Sequence, residues 1–379
     1  MGVLLIFFSL LNITFIEEEY RWFFKNRDIN FWMVMLVFIL YLIMLIREIR
    51  FKISLNFLFI ILIFIMCVRD LIVFFLIYEI VFILIIFTII LLGYRYERLI
   101  AGFLIIFYSF LFSRPTLIII IIFDYRFLIK EWLMFTFWLN YFLVGSFMVK
   151  FPIFGFHYWL PVAHVEASTV GSILLAGILL KLGSIGLFYV VIYINFIIKF
   201  HWIRIGVVIL MLIILILSDL KIIIAYSSVA HISIVFYVII IGSLIGKKGA
   251  LYIIFYHGFI SPLIFWVVGI LAWWKTRSLI VVKIISFSYL FLLCLFMLCI
   301  LNIGFPPFIG FIREILILKS LILVKLILFI IVLGVLFRCY YNVYLFWCFN
   351  SFIGIVNKIN FFRIDLFIFL GLAIILNLY

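Results

Sequence analysis

The chain alternates long apolar runs with short polar breaks. A bilayer core about 30 Å thick needs about 20 apolar residues per helix. Runs of this kind begin near residues 2, 31, 53, 71, 99, 115, 132, 169, 202, 221, 249, 279, 305, 324 and 364. The runs are continuous rather than alternating, and backbone groups in lipid must be satisfied internally, so helices are favoured over a barrel. Because some runs are short or merge with neighbours, we predict an all-α, polytopic transmembrane bundle of about 13 to 15 helices, without a soluble domain.

Proline and glycine interrupt several of the runs. Pro262 lies inside an apolar run and removes a backbone hydrogen bond there, so it is expected to kink the helix. Pro306 and Pro307 open a later run, and Gly183 with Gly186 is expected to loosen another. Broken helices at membrane depth are tolerated where they line a hydrated cavity, and they recur in transporters.

Composition supports the membrane class. The chain is 71% hydrophobic and 11% charged, with a mean hydropathy of +1.54. A soluble domain is about half apolar and about a quarter charged. The net charge of +14 comes from basic residues in the breaks between runs, such as Lys247 and Lys248. These cations are predicted to meet anionic lipids such as cardiolipin, and no nucleic-acid partner is expected.

Several kinds of site are missing from the sequence. The five cysteines form no CxxC motif, so iron–sulfur ligation is not indicated. There is no Walker A loop and no dinucleotide fingerprint. We therefore expect this chain to bind no cofactor and no metal. No basic, Ser-rich transit peptide precedes the first run, so insertion where the chain is made is expected.

Charged residues inside apolar runs are candidates for function. Twelve of the fourteen acidic residues fall at segment ends or in breaks, whereas Glu79 and Glu314 lie inside runs, as does Lys181. A charge in hydrocarbon costs at least ~3 kcal/mol at the helix centre, so such residues usually have a partner or a use. A buried lysine changes protonation readily when a neighbouring carboxylate is added or removed. Glu79 and Lys181 are predicted to form such a switchable pair, and a static salt bridge between two helices is the alternative.

A polar stripe follows one later helix. Lys221, Ser228 and His231 lie on one face at helical spacing. Such a stripe can hold a file of water and relay protons, with histidine titrating in the useful range. Interhelical hydrogen bonding by serine and histidine explains the stripe equally well. His257 and Ser261 repeat the spacing beside the proline of their run, and alone this pair indicates packing more than a pathway.

Five stretches together resemble a known family. They are FPIFGFHYWLPVAHVEASTVGSILLAGILLKLGSIG over 151–186, YERLIAGFLIIFYS from Tyr96, DLKIIIAYSSVAHIS from Asp219, HGFISPLIFW from His257, and GFPPFIGFIREI from Gly304. Taken in their order along the chain, they resemble the antiporter-like chain 4 family of mitochondrial NADH–ubiquinone oxidoreductase (complex I). The resemblance runs from about residue 70 to the end. It implies N-terminal transmembrane helices over 1–70, an antiporter-like proton-translocating core over 71–348 and a C-terminal helix over 349–379.

The resemblance also implies a fold and a set of roles. The family fold has about fourteen helices with two inverted five-helix repeats and broken helices. Position by position, the implied proton pathway contains an intramembrane glutamate, its lysine partner, a central lysine, an exit-side acid and two axis histidines; these are Glu79, Lys181, Lys221, Glu314, His231 and His257. The sequence departs from the family at Val162, Ser168 and Arg313, where lysine, proline and glycine are usual. Arg313 is expected to alter how the adjacent acid is used.

The implied function is proton translocation driven by quinone reduction elsewhere in the complex. The complex uses FMN, iron–sulfur clusters, NADH and ubiquinone, and this chain itself carries no redox centre. The implied partners are the other membrane subunits, including chains 2 and 5, in a multi-pass location in the mitochondrial inner membrane. Two rival interpretations remain: a subunit of a cation/proton antiporter, and a structural membrane scaffold with static ion pairs.

Overall fold

Helices make up the regular structure of the chain. The computed structural model describes residues 33–41, 44, 52–68, 70–93, 97–123, 137–194, 201–272, 289–306, 308–321 and 325–350, and their regular elements are all helical. The all-α prediction is confirmed. After a helical stretch at 33–41, the helices are α1 Lys52–Cys67, α2 Leu71–Leu92, α3 Arg98–Phe123, α4 Phe137–Lys150, α5 Trp159–Glu166, α6 Thr169–Leu174, α7 Leu180–Ile194, α8 His201–Ile216, α9 Leu220–Ile241, α10 Leu244–Ala272, α11 Tyr289–Ile303, α12 Ile309–Leu321 and α13 Lys325–Asn350.

Some predicted features lie outside these residues. The predicted starts near 2, 31, 132, 279 and 364 do so, as do most of the predicted segments 1–70 and 349–379. The three-part division of the chain and the inverted repeats stay predictions.

Two prolines lie within continuous helices. The runs predicted near 99 and 115 form the single helix α3, with Pro115 inside it. Pro262 likewise lies inside α10. Hydroxyl groups beside each proline bond to the helix backbone: Thr116 donates to the Ser113 carbonyl at 2.8 Å, and Ser261 to the His257 carbonyl at 2.7 Å. The carbonyls that lose a partner to these prolines are those of Leu111 and Gly258, so the two hydroxyl bonds do not replace the missing ones.

The main helix irregularity lies elsewhere than predicted. A π-helical turn, Leu175–Leu179, separates α6 from α7. This turn lies before Gly183 and Gly186, where loosening of the helix was expected. Gly183 and Gly186 lie in regular α-helix, where they permit close packing instead. A Cβ atom would lie 2.9 Å from Tyr78 Oη at Gly183, and 2.2 Å from Phe147 Cε1 at Gly186. Single π turns are frequent at functional sites.

A short interior helix precedes this irregularity. Helix α5 ends at Glu166, and Ser168 then caps α6 by accepting a 3.1 Å hydrogen bond from the Gly171 amide. Serine satisfies an otherwise unpaired amide at this position, which proline could not do. The break between α5 and α6 therefore lies inside the protein, with Glu166, Ala167 and Ser168 all buried.

The described part of the chain has five helical segments long and apolar enough to cross a membrane. Two of them, Leu71–Leu91 and Arg98–Ile121, expose large apolar side chains such as Phe87 and Phe103. The other three, Thr169–Val191, Leu220–Ile241 and Ile245–Gly269, are mostly buried. Most of the predicted ionisable residues lie on these three inner segments.

Candidate functional site

Glu79 forms its ion pair with Lys150. Glu79 lies on α2, and Lys150 is the last residue of α4. The Lys150 side chain is 1% exposed, and its ammonium group lies 4.3 Å from the centre of the Tyr78 ring. Phe147 on α4 stacks on Tyr78, which helps bring the two helices together. The prediction that Glu79 pairs with Lys181 is therefore wrong.

Sequence reasoning missed Lys150 because it ends an apolar run, where it resembles an ordinary flanking cation. Its burial depends on how α4 packs on α2, which run length does not reveal. The Tyr78 hydroxyl packs close to the α7 backbone at Gly183, where an added Cβ atom would lie 2.9 Å from it, and it has no hydrogen-bond partner among the described residues. Gly183 is two residues from Lys181.

Lys181 lies instead beside His257. Its Nζ donates a 2.6 Å hydrogen bond to the Ala176 carbonyl in the π turn and lies 3.1 Å from His257 Nδ1. The rings of His257 and His231 are 5.3 Å apart between centroids. All three side chains are buried. The structure thus brings three of the predicted residues together from α7, α9 and α10.

Lys221 lies at the carboxyl end of α5. Its Nζ donates to the Ala167 carbonyl at 2.9 Å and lies 3.5 Å from the Val165 carbonyl. A cation is favourable there, because the helix dipole places partial negative charge at this end. Ser228, on the same predicted stripe, donates to the Ala225 carbonyl of its own helix at 2.7 Å. That hydroxyl bond is therefore local rather than interhelical.

Two buried residues beside Lys221 were not assigned from the sequence. Glu166 was counted with the acids at segment ends, yet it is 3% exposed because α5 ends inside the protein. His164 is fully buried and stacks on Phe265, with 4.2 Å between ring centroids. Within the described ranges, neither ring nitrogen of His164 has a hydrogen-bond partner. The HVEA motif contained both residues and was the available signal.

Glu314 lies between two buried arginines. It forms a hydrogen-bonded ion pair with Arg338 of α13, and Arg313 Nη2 lies 3.9 Å from the same oxygen, Oε1. Arg313 Nε donates to the Gly310 carbonyl at 3.1 Å, and its guanidinium carbon lies 4.2 Å from the Tyr256 ring centre. Arg338 was missed, although an arginine inside the apolar run 325–350 is itself an intramembrane charge.

A small cavity joins this cluster to His231. His231, Glu314 and Arg338 line a cavity of about 20 Å³ together with aliphatic side chains. A space of this size holds one water molecule. A second cavity, of about 30 Å³, is lined by Ser227, Asn302, Tyr341 and Asn342 among apolar residues. Buried water is plausible only where polar groups can hold it, and both cavities supply such groups.

The described residues contain no group of three or more His, Cys, Asp or Glu side chains able to hold a metal ion. The absence of a bound cofactor stays a prediction.

Residues 68–339 match the family described as "NADH:quinone oxidoreductase/Mrp antiporter, TM". The NADH-ubiquinone oxidoreductase chain 4 of Acanthamoeba castellanii is 35% identical over 277 residues, covering 68% of this chain and 55% of the relative. This chain spans less than two thirds of the length of the relatives that head the comparison, from 55% to 66% of each.

The fold also occurs in solved structures. The structure described as respiratory complex I from Thermus thermophilus with bound NADH contains a chain that matches with a TM-score of 0.75 and 19% identity, covering 93% of this chain and 79% of that one. A chain of the Mrp complex from Dietzia sp. DQ12-45-1b matches with a TM-score of 0.76 and 14% identity, covering 86% and 67%. The chain therefore belongs to the NADH:quinone oxidoreductase/Mrp antiporter family of membrane proteins, and its relatives there include NADH-ubiquinone oxidoreductase chain 4 proteins.

Proposed function

We propose that this chain is a proton-translocating membrane-arm subunit of an NADH:ubiquinone oxidoreductase. The observation that carries the proposal is a set of three groups of ionisable contacts inside the bundle: Glu79–Lys150, Lys181–His257–His231 and Glu314–Arg338. Placing this many ionisable groups in a membrane interior is costly, and such groups commonly mark ion pathways and proton relays.

The geometry suggests how charge moves between the first two groups. While Glu79 is paired with Lys150, the Lys150 charge is balanced and acts weakly on Lys181. When that pair opens, the Lys150 ammonium repels the Lys181 ammonium in a medium of low polarity, where unit charges interact strongly. The Lys181 proton then leaves towards His257 Nδ1, which lies 3.1 Å from Nζ.

The second half of the path leads from the histidines to Glu314. His257 and His231 lie beside each other with tilted rings, and the cavity beside His231 reaches Glu314 and Arg338. A water molecule there would connect the imidazole to the carboxylate. Protonation of Glu314 removes the charge that holds Arg338, so the ion pair opens as the proton arrives. This sequence of exchanges conducts protons without a redox group in the chain.

The same proposal extends to partners and location. The chain would assemble with neighbouring antiporter-like subunits, equivalent to chains 2 and 5, in a complex that uses FMN, iron–sulfur clusters, NADH and ubiquinone. It would lie in the mitochondrial inner membrane, with its basic breaks against anionic lipids such as cardiolipin. These statements rest on the chain 4 relatives and on the apolar helices.

A second candidate is a subunit of a cation/proton antiporter. The match to a chain of the Mrp complex, with a TM-score of 0.76, favours it specifically. Co-purification in mild detergent, followed by mass spectrometry, separates the two. A very large assembly with flavin and iron–sulfur subunits and NADH:quinone activity supports the first proposal. A small assembly without redox subunits that exchanges cations for protons supports the second.

The mechanism is tested by Lys181→Met in the reconstituted assembly. We expect proton transport per NADH oxidised to fall severalfold while the assembly stays intact. Lys248→Met is the matched control. Lys248 is an exposed lysine on α10, so this substitution removes the same charge outside the path. Equal proton transport in the two variants would show that Lys181 is structural, which is the scaffold interpretation.

A further inference from the structure

The outward surface of helix α3 is apolar except at one position. Its exposed side chains share one sector of the helix, because residues three or four positions apart lie on the same face. From Phe103 onwards they are Phe103, Ile106, Phe107, Phe110, Leu111, Arg114, Ile118 and Ile121, and we call them the α3 outer face. All of them suit a lipid environment apart from Arg114, which lies near the centre of the sector.

Arg114 also lies deep along the helix. It is the only charged residue between Arg98 and Asp124 in the sequence. Its guanidinium carbon lies 3.6 Å from the centre of the Phe110 ring, one turn nearer the middle of α3. At 1.5 Å per residue, Phe110 is about 18 Å along the axis from Arg98 and about 20 Å from Phe123, the last residue of α3. Because half of a bilayer core is about 15 Å thick, the guanidinium is held near the membrane midplane.

Lipid does not satisfy this group. A charged side chain at the bilayer centre is costly, and such residues almost always face the bundle interior and pair with polar groups there. Arg114 faces outward, and among the described residues it has neither a hydrogen bond nor a carboxylate within ion-pair distance. Its stacking on Phe110 turns the guanidinium away from the nearer end of the helix, so the group does not extend towards lipid headgroups. A partner for it has to come from outside the described residues.

A second polar group belongs to the same part of α3. Pro115 has no N–H group, so the carbonyl of Leu111 loses its helical partner. Leu111 is itself a member of the α3 outer face. Lipid offers neither an acceptor for the Arg114 guanidinium nor a donor for this carbonyl, whereas the side chains of another helix can offer both.

We propose that the α3 outer face is the contact surface for a transmembrane helix of a neighbouring subunit, and that this helix presents an Asp or Glu carboxylate to Arg114. The apolar side chains pack against the helix, and the planar guanidinium binds the carboxylate through two parallel hydrogen bonds. Stacking on Phe110 leaves the N–H groups at the guanidinium edge free to donate. The inference rests on the proposed function for the existence of a neighbouring subunit, and it adds the surface and the chemistry of the contact.

Arg114→Leu in the intact assembly tests the pairing, because the two environments predict opposite results. Against a carboxylate, the substitution leaves the acid buried and unpaired, so the neighbouring subunit should dissociate on the order of a hundredfold more readily. Against lipid, the substitution removes a costly charge, so retention should be unchanged or improved. Native mass spectrometry across a detergent series measures retention. Arg114→Lys keeps the charge and should retain the subunit better than Arg114→Leu, and the matched control Phe103→Leu on the same face should retain it as wild type does.

A photo-crosslinker identifies the neighbour. p-Benzoylphenylalanine replaces Phe107, which is 52% exposed on the α3 outer face and one turn from Phe110. Mass spectrometry should place the crosslink on a transmembrane helix of a different subunit, with an Asp or Glu within about two turns of the crosslinked residue. Arg114 is unchanged in this variant, so the experiment stays decisive if Arg114→Leu fails to assemble.

Three results would overturn the contact. They are adducts with lipid alone, a crosslink to another part of this chain, and equal retention of the neighbouring subunit in Arg114→Leu and wild type. Neither measurement needs quinone turnover or proton transport. A small assembly without redox subunits would contradict the proposed function and still report the neighbour, whereas a large redox assembly with lipid adducts alone would contradict only this contact.

Discussion

The pairing of Glu79 with Lys150 predicts a specific energetic coupling. Removing one partner of a buried ion pair costs ~3–5 kcal/mol, because the other charge stays buried and unpaired. In Glu79→Gln the stranded group is the Lys150 ammonium, whose side chain is 1% exposed and surrounded by aromatic rings. Glu79 itself is 23% exposed, so solvent weakens the pair and the low end of that range applies. We expect Glu79→Gln to lower the free energy of unfolding by ~3 kcal/mol.

A double-mutant cycle isolates this pair. The free energy of unfolding is measured for the full chain in mixed detergent micelles, for wild type, Glu79→Gln, Lys150→Met and the double variant. The double variant should recover much of the loss, with a coupling of ~2 kcal/mol or more. The control cycle combines Glu79→Gln with Lys181→Met and should show a clearly smaller coupling. A larger coupling with Lys181 than with Lys150 would refute the Glu79–Lys150 pair and favour the pairing with Lys181 that the sequence predicts.

Three further predictions concern packing, capping and transport. Gly186→Ala should cost ~1–3 kcal/mol of unfolding free energy, because its Cβ would lie 2.2 Å from Phe147 Cε1, and the added variant Phe147→Leu should restore part of it. Ser168→Ala should cost ~1 kcal/mol through loss of the α6 cap, and retained stability in the same unfolding assay would contradict that role. His257→Leu should lower proton transport per NADH oxidised severalfold, because it removes the imidazole 3.1 Å from Lys181 Nζ; transport at the wild-type rate would exclude it from the path.

The membrane class and the central charged positions could be predicted because a charged residue is easily recognised within a long apolar run. Glu79, Lys181 and Glu314 interrupt long apolar runs, and the cost of a charge there is large enough to single them out. Their partners could not be predicted in the same way. Lys150 and Arg338 meet Glu79 and Glu314 across helix interfaces, and the register of one helix against another depends on side-chain packing such as Phe147 on Tyr78.

The residues around the α5–α6 break show why a search based on run length is incomplete. Such a search assumes that helix ends lie near the membrane surface, so that charges there are solvated. Helix α5 ends in the interior, so Glu166 is at a helix end and 3% exposed at once. A buried helix end also carries backbone carbonyls without intrahelical partners, and these attract a cation. Lys221 occupies that position on Val165 and Ala167. In a bundle with broken helices, charged residues beside a break therefore deserve the same weight as charged residues in the middle of a run.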